Sequence, residues 1–407
     1  MTVEELRKEF PQLSEQVYGR DLVYLDNAAT SLKPASTVRE LSRMTTVDNA
    51  NIYRAVHSKA VSATAEFEKA RDRVKEFIGA SCREEIIFTS GTTASINLLA
   101  NSFSEAFINE GDEIIISEAE HHADIVPWQL MCSRRKAVIR VLPIDDNGAM
   151  RVELLEGMIT PRTKLVCVSH ISNVLGIINP VGRIIQIAHS RGCPVLVDGA
   201  QGIVHTKVDV RELDCDFYAF SGHKIFASTG TGVLYGKKKW LDAMPPYMGG
   251  GEMISEVKWS GTGYAPLPLK FEAGTQNIAG ICTFIPALEL AEATRCREIE
   301  ENQRMITACV SEALESNPYI TLYGKADTPR NRIPLFSFTV KGAHHEDLAL
   351  ILDKMGIAVR SGQQCAEPLM DRLGVTGVLR ASFGACNTVQ EAEYFLKSLD
   401  RAIKMLL

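Results

Sequence analysis

Two ionisable residues stand where two short apolar runs stop. The runs 194–197 and 217–220 have the length of buried strands, and each ends in polar residues. The first leads into Asp198-Gly199-Ala200-Gln201, the second into Ser221-Gly222-His223-Lys224. In an α/β sheet, ligand chemistry gathers at strand ends, which makes Asp198 and Lys224 candidates for one site. A lysine can condense with an aldehyde to an imine. A carboxylate facing a pyridine nitrogen keeps that nitrogen protonated, and a protonated ring accepts electrons. This is the pair of side chains expected around pyridoxal phosphate. An isolated Asp and Lys would be a turn cap and a surface charge; the flanking sequence sets these two apart.

Other stretches carry compatible chemistry. Thr89-Ser90-Gly91-Thr92-Thr93 lies between a strand-like and a helix-like segment, so free N–H groups and hydroxyls converge at a helix start, as a phosphate requires. No Gly-Lys-Ser/Thr follows, so it is not a Walker loop. In Glu120-His121-His122, an imidazole could lie flat on a heteroaromatic ring; adjacent histidines on a strand point apart, which disfavours joint metal ligation. Asn173 follows the strand-like run 164–169 and offers an amide at the same sheet edge. Of ten cysteines, none forms a Cys-x-x-Cys pair, and most lie in apolar runs as inert thiols. No structural zinc or disulfide framework is expected. Cys365, in the polar stretch Ser361-Gly362-Gln363-Gln364-Cys365, is the exception.

The elements that must position these residues follow from patterning. Strand-like runs at 85–89, 112–117, 137–142, 164–169, 194–197, 217–220 and 232–235 alternate with helical segments near 92–107, 124–134, 151–157 and 181–191. Such alternation predicts a mainly parallel central sheet flanked by helices. No helix separates the last two runs, so an antiparallel strand is expected there. Ahead of this unit come a short helix over 2–9 capped by Thr2, a strand at 22–25, a helix to about 48 opened by a Thr37/Glu40 capping box, a substrate-proximal loop at 51–57 and a helix over 61–79. Beyond it, one long helix from about 282 to 314 is expected to link two domains. A small α+β unit follows: strands at 335–340, 357–360 and 379–383, helices at 345–355 and 389–406.

A chain of 407 residues, 45% hydrophobic, is long enough for two domains. The expected division is an N-terminal segment, 1–20, packing on the small domain; a large cofactor domain, 21–285; and a small domain, 286–407, carrying the cysteine loop. The net charge of −6, with no basic runs, argues against a nucleic-acid partner. The N-terminus is charged and amphipathic, and no apolar run approaches a membrane span, so a cytoplasmic location is expected.

Taken together, Ser221-Gly222-His223-Lys224, Val197-Asp198-Gly199-Ala200-Gln201, Gly91-Thr92-Thr93, Glu120-His121-His122 and the stretch from Ala358 to Ala366 resemble the class V, fold-type I pyridoxal-phosphate enzymes. More narrowly they resemble SUF-type (group II) cysteine desulfurases and selenocysteine lyases, in the same motif order over essentially the whole chain. The resemblance implies that Lys224 forms the imine to pyridoxal 5'-phosphate. Asp198 meets the ring nitrogen, Gln201 the ring hydroxyl, and His121 stacks on the ring face. Thr92, Thr93, Ser221 and His223 bind the phosphate. Thr275 reaches the phosphate of a neighbouring subunit, implying a homodimer. Asn173 and Arg380 grip the substrate carboxylate, Arg380 through its planar fork; Asn27 and His57 match active-site positions.

In the implied reaction, Lys224 moves the α-proton of L-cysteine and the Cys365 thiolate takes the substrate sulfur as a persulfide, leaving alanine. Positive charge beside a thiol favours the thiolate, and Arg360 is the sequence-local source. The persulfide would pass to a sulfur-acceptor protein of the SUF system for iron–sulfur assembly. L-Selenocysteine is a second expected substrate. The sequence departs from the family where Gln363-Gln364 replaces the usual histidine before the cysteine, and around Cys386, where an aromatic is commoner. Two other readings are a different reaction on the same scaffold, such as transamination, racemisation or kynurenine-type cleavage, and a non-enzymatic binding scaffold. Neither needs a thiol at 365.

Overall fold

The computed structural model describes residues 1–325, 328 and 331–407. Its centre is a seven-stranded sheet in the spatial order Ile86–Thr89, Gly232–Gly236, Phe217–Ser221, Val195–Asp198, Thr163–Ser169, Glu113–Ser117, Val138–Leu142. Gly232–Gly236 runs antiparallel to both of its neighbours; every other pairing is parallel. The chain is thus an α/β fold with the expected strand reversal. Strands buried on both faces are near-continuous apolar runs rather than alternating ones, and Val195–Asp198 and Phe217–Ser221 are buried at every position.

Apolar residues on the two faces of this sheet form two clusters. One gathers Val166, Val195 and Tyr218 with helices Ser58–Phe77 and Val181–Ser190; the other gathers Leu165, Leu196 and Phe217 with helix Thr92–Phe107. A third core lies in the C-terminal part, where the four-stranded sheet Ile320–Tyr323, Leu335–Val340, Val378–Ser382, Arg360–Gly362 is covered by helices Arg297–Ser316, His345–Lys354 and Val389–Leu406. Val23 and Leu25 pack in this third core, because Val23–Tyr24 pairs in parallel with Ile357–Ala358. The N-terminal helix Val3–Arg7 is tied to the same unit by Arg7, which donates to the Cys386 carbonyl and to Glu391, both at 2.8 Å.

Several local expectations differ from the structure. The helix after residue 34 is Ala35–Thr46, begun by Pro34, whose fixed φ suits a helix start. Thr37 therefore lies inside the first turn and donates to the Phe226 carbonyl, while Glu40 pairs with Arg43, so no capping box forms. The long linking helix is three helices, Ile278–Cys282, Phe284–Ala293 and Arg297–Ser316. The break falls where Arg295 turns in to stack on Phe77 and donate to the carbonyls of Ile203 and Thr206. The run at 357–360 is two short strands, because the chain changes partner at Val359 from Val23–Tyr24 to Val378–Ser382. An exposed hairpin, Ile254–Lys258 with Gly261–Tyr264, has no burial alternation and left no readable pattern.

Candidate active site

The C-terminal ends of the central strands meet the small unit in one cavity. It is lined by Thr92, Thr93, His121, Asn173, Asp198, Gln201, Ser221, His223, Lys224, Arg360, Cys365 and Arg380, together with Ala28, Ser169 and Gln364 among others. Twelve of the fifteen residues singled out from the sequence are thus brought together.

One end of the cavity is built by the start of helix Thr92–Phe107. Gly91 precedes it with φ +150°, and Ser221 Oγ accepts from Thr92 N at 2.8 Å and lies 2.7 Å from Thr92 Oγ1. The strand Gly232–Gly236 passes so close that a Cβ on Gly232 would meet the Gly91 backbone at 2.3 Å. Glycine at 232 is therefore required for the loop to hold its shape. His223 lies beside Thr30 Oγ1 at 3.2 Å, and burial pushes its imidazole down to about 4. The helix N-terminus and these hydroxyls offer donors to an anion.

At the other end Asp198 is buried, with Oδ1 accepting from Ala200 N at 2.8 Å and Oδ2 without a partner among the described residues. Burial raises its carboxyl, and the Ala200 amide and Lys224 oppose this. Lys224 sits on the turn after Phe217–Ser221. Burial lowers its amine to about 8, with Arg380 and Arg360 acting in the same direction and Asp198 against it. An amine so placed is partly free base near neutral pH, as imine chemistry needs. His121 Nδ1 accepts from Ala123 N at 3.0 Å, and burial, Lys224 and neighbouring cations drive its imidazole down to about 3, so the ring is neutral. Gln201 donates to the Ala28 carbonyl at 2.8 Å. A buried carboxylate with one oxygen free, a lysine amine lowered by burial and a helix-start anion cradle around one cavity fit pyridoxal phosphate in charge and chemistry.

Another part of the cavity wall is formed by Arg380, Asn173, Arg360 and Cys365. Arg380 is buried, donating to the Asn173 carbonyl at 2.9 Å and to Asp26 at 3.1 Å, while its Nε has no partner among the described residues. Asn173 Nδ2 donates to the Gln364 carbonyl at 2.9 Å. Arg360 Nη2 lies 4.0 Å from the sulfur of Cys365, an exposed free thiol.

Three candidates lie elsewhere. Asn27 donates to the carbonyls of Tyr24 and Ser382 and to Asn387, and it lines a neighbouring cavity. His57 is exposed and caps helix Ser58–Phe77 through Nδ1, which accepts from Ala60 N. Thr275, also exposed, lines a separate cavity with Ser90 and Asn277. Conversely, Lys33 donates to the His223 carbonyl at 2.8 Å, its amine lowered by burial to about 8, and nothing in its local sequence signals this. His121 and His122 open a 3-10 turn, not a strand, so the strand argument about their directions does not apply.

The chain matches the aminotransferase class-V family over residues 23–395. It is 41% identical to a probable cysteine desulfurase of Vibrio cholerae over 406 residues, covering 100% of both chains, and 44% identical to one of Halalkalibacterium halodurans, covering 98% of both. Among solved structures it superposes on the Escherichia coli cysteine desulfurase CsdA in its S-sulfonic acid form with a TM-score of 0.91 at 39% identity, each chain covered fully. The fold and site are those of a class-V, fold-type I pyridoxal-phosphate enzyme. Within that class, the chain belongs to the cysteine desulfurase family, whose cofactor is pyridoxal 5'-phosphate.

Proposed function

We propose that this protein is a cysteine desulfurase that converts L-cysteine to L-alanine and carries the sulfur as a persulfide on Cys365. The single observation that carries this reading is an exposed thiol, 4.0 Å from the Arg360 guanidinium, opening on the cavity that holds Lys224 and Asp198. Transamination and racemisation need no thiol there.

Lys224, Asp198, Gln201, His121 and the Thr92–Ser221 cradle would hold pyridoxal phosphate, which when bound would supply the electron sink for charge developing on the substrate carbons. Asp198 would provide the negative charge that keeps the pyridine nitrogen protonated. The neutral His121 imidazole would pack against the cofactor without adding a competing charge. Arg380 and Asn173 hold the substrate carboxylate, orienting Cα toward Lys224, whose amine takes the α-proton and holds it within the site. The Cys365 thiolate attacks the substrate sulfur: the Sγ–S bond forms, the substrate Cβ–S bond breaks, and the released electron pair stays with the carbon skeleton. Two protons then complete alanine. The net change is cysteine plus enzyme thiol to alanine plus enzyme persulfide.

The same reading extends to a SUF-system acceptor protein that takes the sulfur for iron–sulfur assembly, to selenocysteine lyase as a second activity, to a cytoplasmic setting, and to a homodimer in which Thr275 serves the neighbouring subunit's phosphate. Exposure of both Cys365 and Thr275 supports a partner at each. The test supplies L-cysteine and L-selenocysteine in turn to the wild type and Cys365→Ala. The expected outcome is alanine from both substrates with the wild type, and from selenocysteine alone with the variant, since selenium can leave without thiol attack. Pyruvate or D-cysteine as product, or undiminished sulfur release by Cys365→Ala, would refute the reading.

A further inference from the structure

The turn bearing Cys365 has bonds of its own, Ala366 N to the Gln363 carbonyl at 3.0 Å and Gln363 Nε2 to Glu367 at 3.0 Å, but none of them takes the Cys365 carbonyl or the Glu367 N–H. Gln364 and Cys365 both have φ +56°, a left-handed conformation that side-chain-bearing residues adopt only when their surroundings impose it. The helix that follows, Glu367–Leu373, has Ala366 at its N-cap, with no side chain able to cap it, and Pro368, with no N–H to give. The Glu367 N–H at its start therefore needs an acceptor from elsewhere.

His122 contacts the chain at the sulfur-bearing residue and two positions after it. Its backbone N–H donates to the Cys365 carbonyl at 2.8 Å, and its Nε2 accepts from Glu367 N at 2.9 Å. A third contact, Asn173 Nδ2 to the Gln364 carbonyl at 2.9 Å, fixes the residue before. A backbone N–H can only donate, so Nε2 carries the lone pair and the His122 proton sits on Nδ1. His121, which would pack against the cofactor, and His122 are consecutive at the start of one 3-10 turn. The ring support and the clasp on the nucleophile thus share one piece of backbone.

We propose that His122 is a positioning residue that clasps the Cys365 turn and caps the helix after it, setting the sulfur nucleophile against the substrate held at Lys224. The inference rests on the reading of Cys365 as that nucleophile. It assigns no contact with substrate to His122, so its loss acts on turnover and leaves binding alone.

The test compares His122→Ala and His122→Gln, whose amide oxygen can still accept from Glu367 N, by hydrogen exchange over 362–370 in apo and loaded protein and by steady-state alanine formation. In His122→Ala the Glu367 amide exchanges about tenfold faster, the protection of one hydrogen bond, while exchange across the central strands is unchanged. Its kcat falls about 10–100-fold, as when a reacting group is misplaced by about 1 Å, with KM for L-cysteine unaltered. His122→Gln recovers most of both. Unchanged exchange and kcat in His122→Ala, a matching rise in exchange across the whole chain, or a rise in KM alone would overturn the clasp. Cys365→Ala is run alongside: if it still desulfurates cysteine, the reading of the nucleophile fails, whereas loss of activity there with wild-type behaviour of His122→Ala rejects only the clasp.

Discussion

Arg380 is a buried cation at the site, and the substrate role proposed for it predicts an effect of definite size when it is replaced. Its guanidinium holds the Asn173 carbonyl at 2.9 Å and Asp26 at 3.1 Å, and the unpartnered Nε and remaining N–H groups are left for a ligand. A substrate carboxylate taking two charge-assisted hydrogen bonds gains about 1.5–3 kcal/mol from each. Losing both at the lower bound, about 3 kcal/mol, lowers kcat/KM by about 150-fold in Arg380→Ala. Arg380→Lys keeps the charge but not the fork. It loses about half of this, a fall of roughly tenfold. The loss is expected mainly in KM for L-cysteine, because the carboxylate is held in the ground state as well. The assay is alanine formation across a cysteine titration, with cofactor affinity as the control, since no contact of Arg380 reaches the phosphate cradle. A KM within twofold of wild type in both variants would refute the assignment of Arg380 to the carboxylate.

The buried pair Arg71–Glu272 should govern stability. Glu272→Ala removes acceptors at 2.7 and 2.9 Å from a guanidinium with 0% exposure and leaves Phe88 N unmet. That predicts a loss of about 3–5 kcal/mol, measured by denaturant unfolding, and a loss under 1 kcal/mol would contradict it. Glu120, buried next to Ser169 N at 2.8 Å, has its carboxyl raised by burial to about 8. The folded state then binds more protons than the unfolded between the ordinary carboxyl range and about 8, so Glu120 costs stability as pH rises through that window. Between about pH 6.5, the ordinary histidine value, and pH 8, the thermal midpoint of the apoprotein should fall more in the wild type than in Glu120→Gln; equal slopes would contradict this. Lys224 works in the opposite sense above about 8, where its lowered amine is neutral in the fold while the unfolded chain still binds the proton, so stability rises toward the ordinary lysine range. Lys224→Met should lose that rise in the apoprotein's pH profile.

The parts of the fold legible in the sequence are those whose local signal and tertiary environment agree. Helix Thr92–Phe107 follows a strand and begins at a glycine, and helix Val389–Leu406 carries its own Thr388/Glu391 capping box; both were readable from spacing. The buried strands were readable because both faces are apolar. Legibility failed where a distant partner decides. Thr37 and Glu40 have the spacing of a capping box, but Pro34 starts the helix earlier and Phe226 claims the threonine. The break at Arg295 is made by Phe77 and the Ile203 carbonyl, 218 and 92 positions away in the chain. Site residues on strand ends announced themselves through polar types at the close of apolar runs. Lys33 did not, because its role is a single bond to the His223 carbonyl across 190 residues.

The most direct measurement is to incubate the cofactor-loaded protein with L-cysteine, without reductant, and map sulfur additions by mass spectrometry while alanine is quantified. One added sulfur atom is expected on Cys365, in step with alanine formed before any acceptor is present, and none on the other nine cysteines. Alanine released with the Cys365 peptide unmodified, or the added sulfur found on a different cysteine, would contradict it.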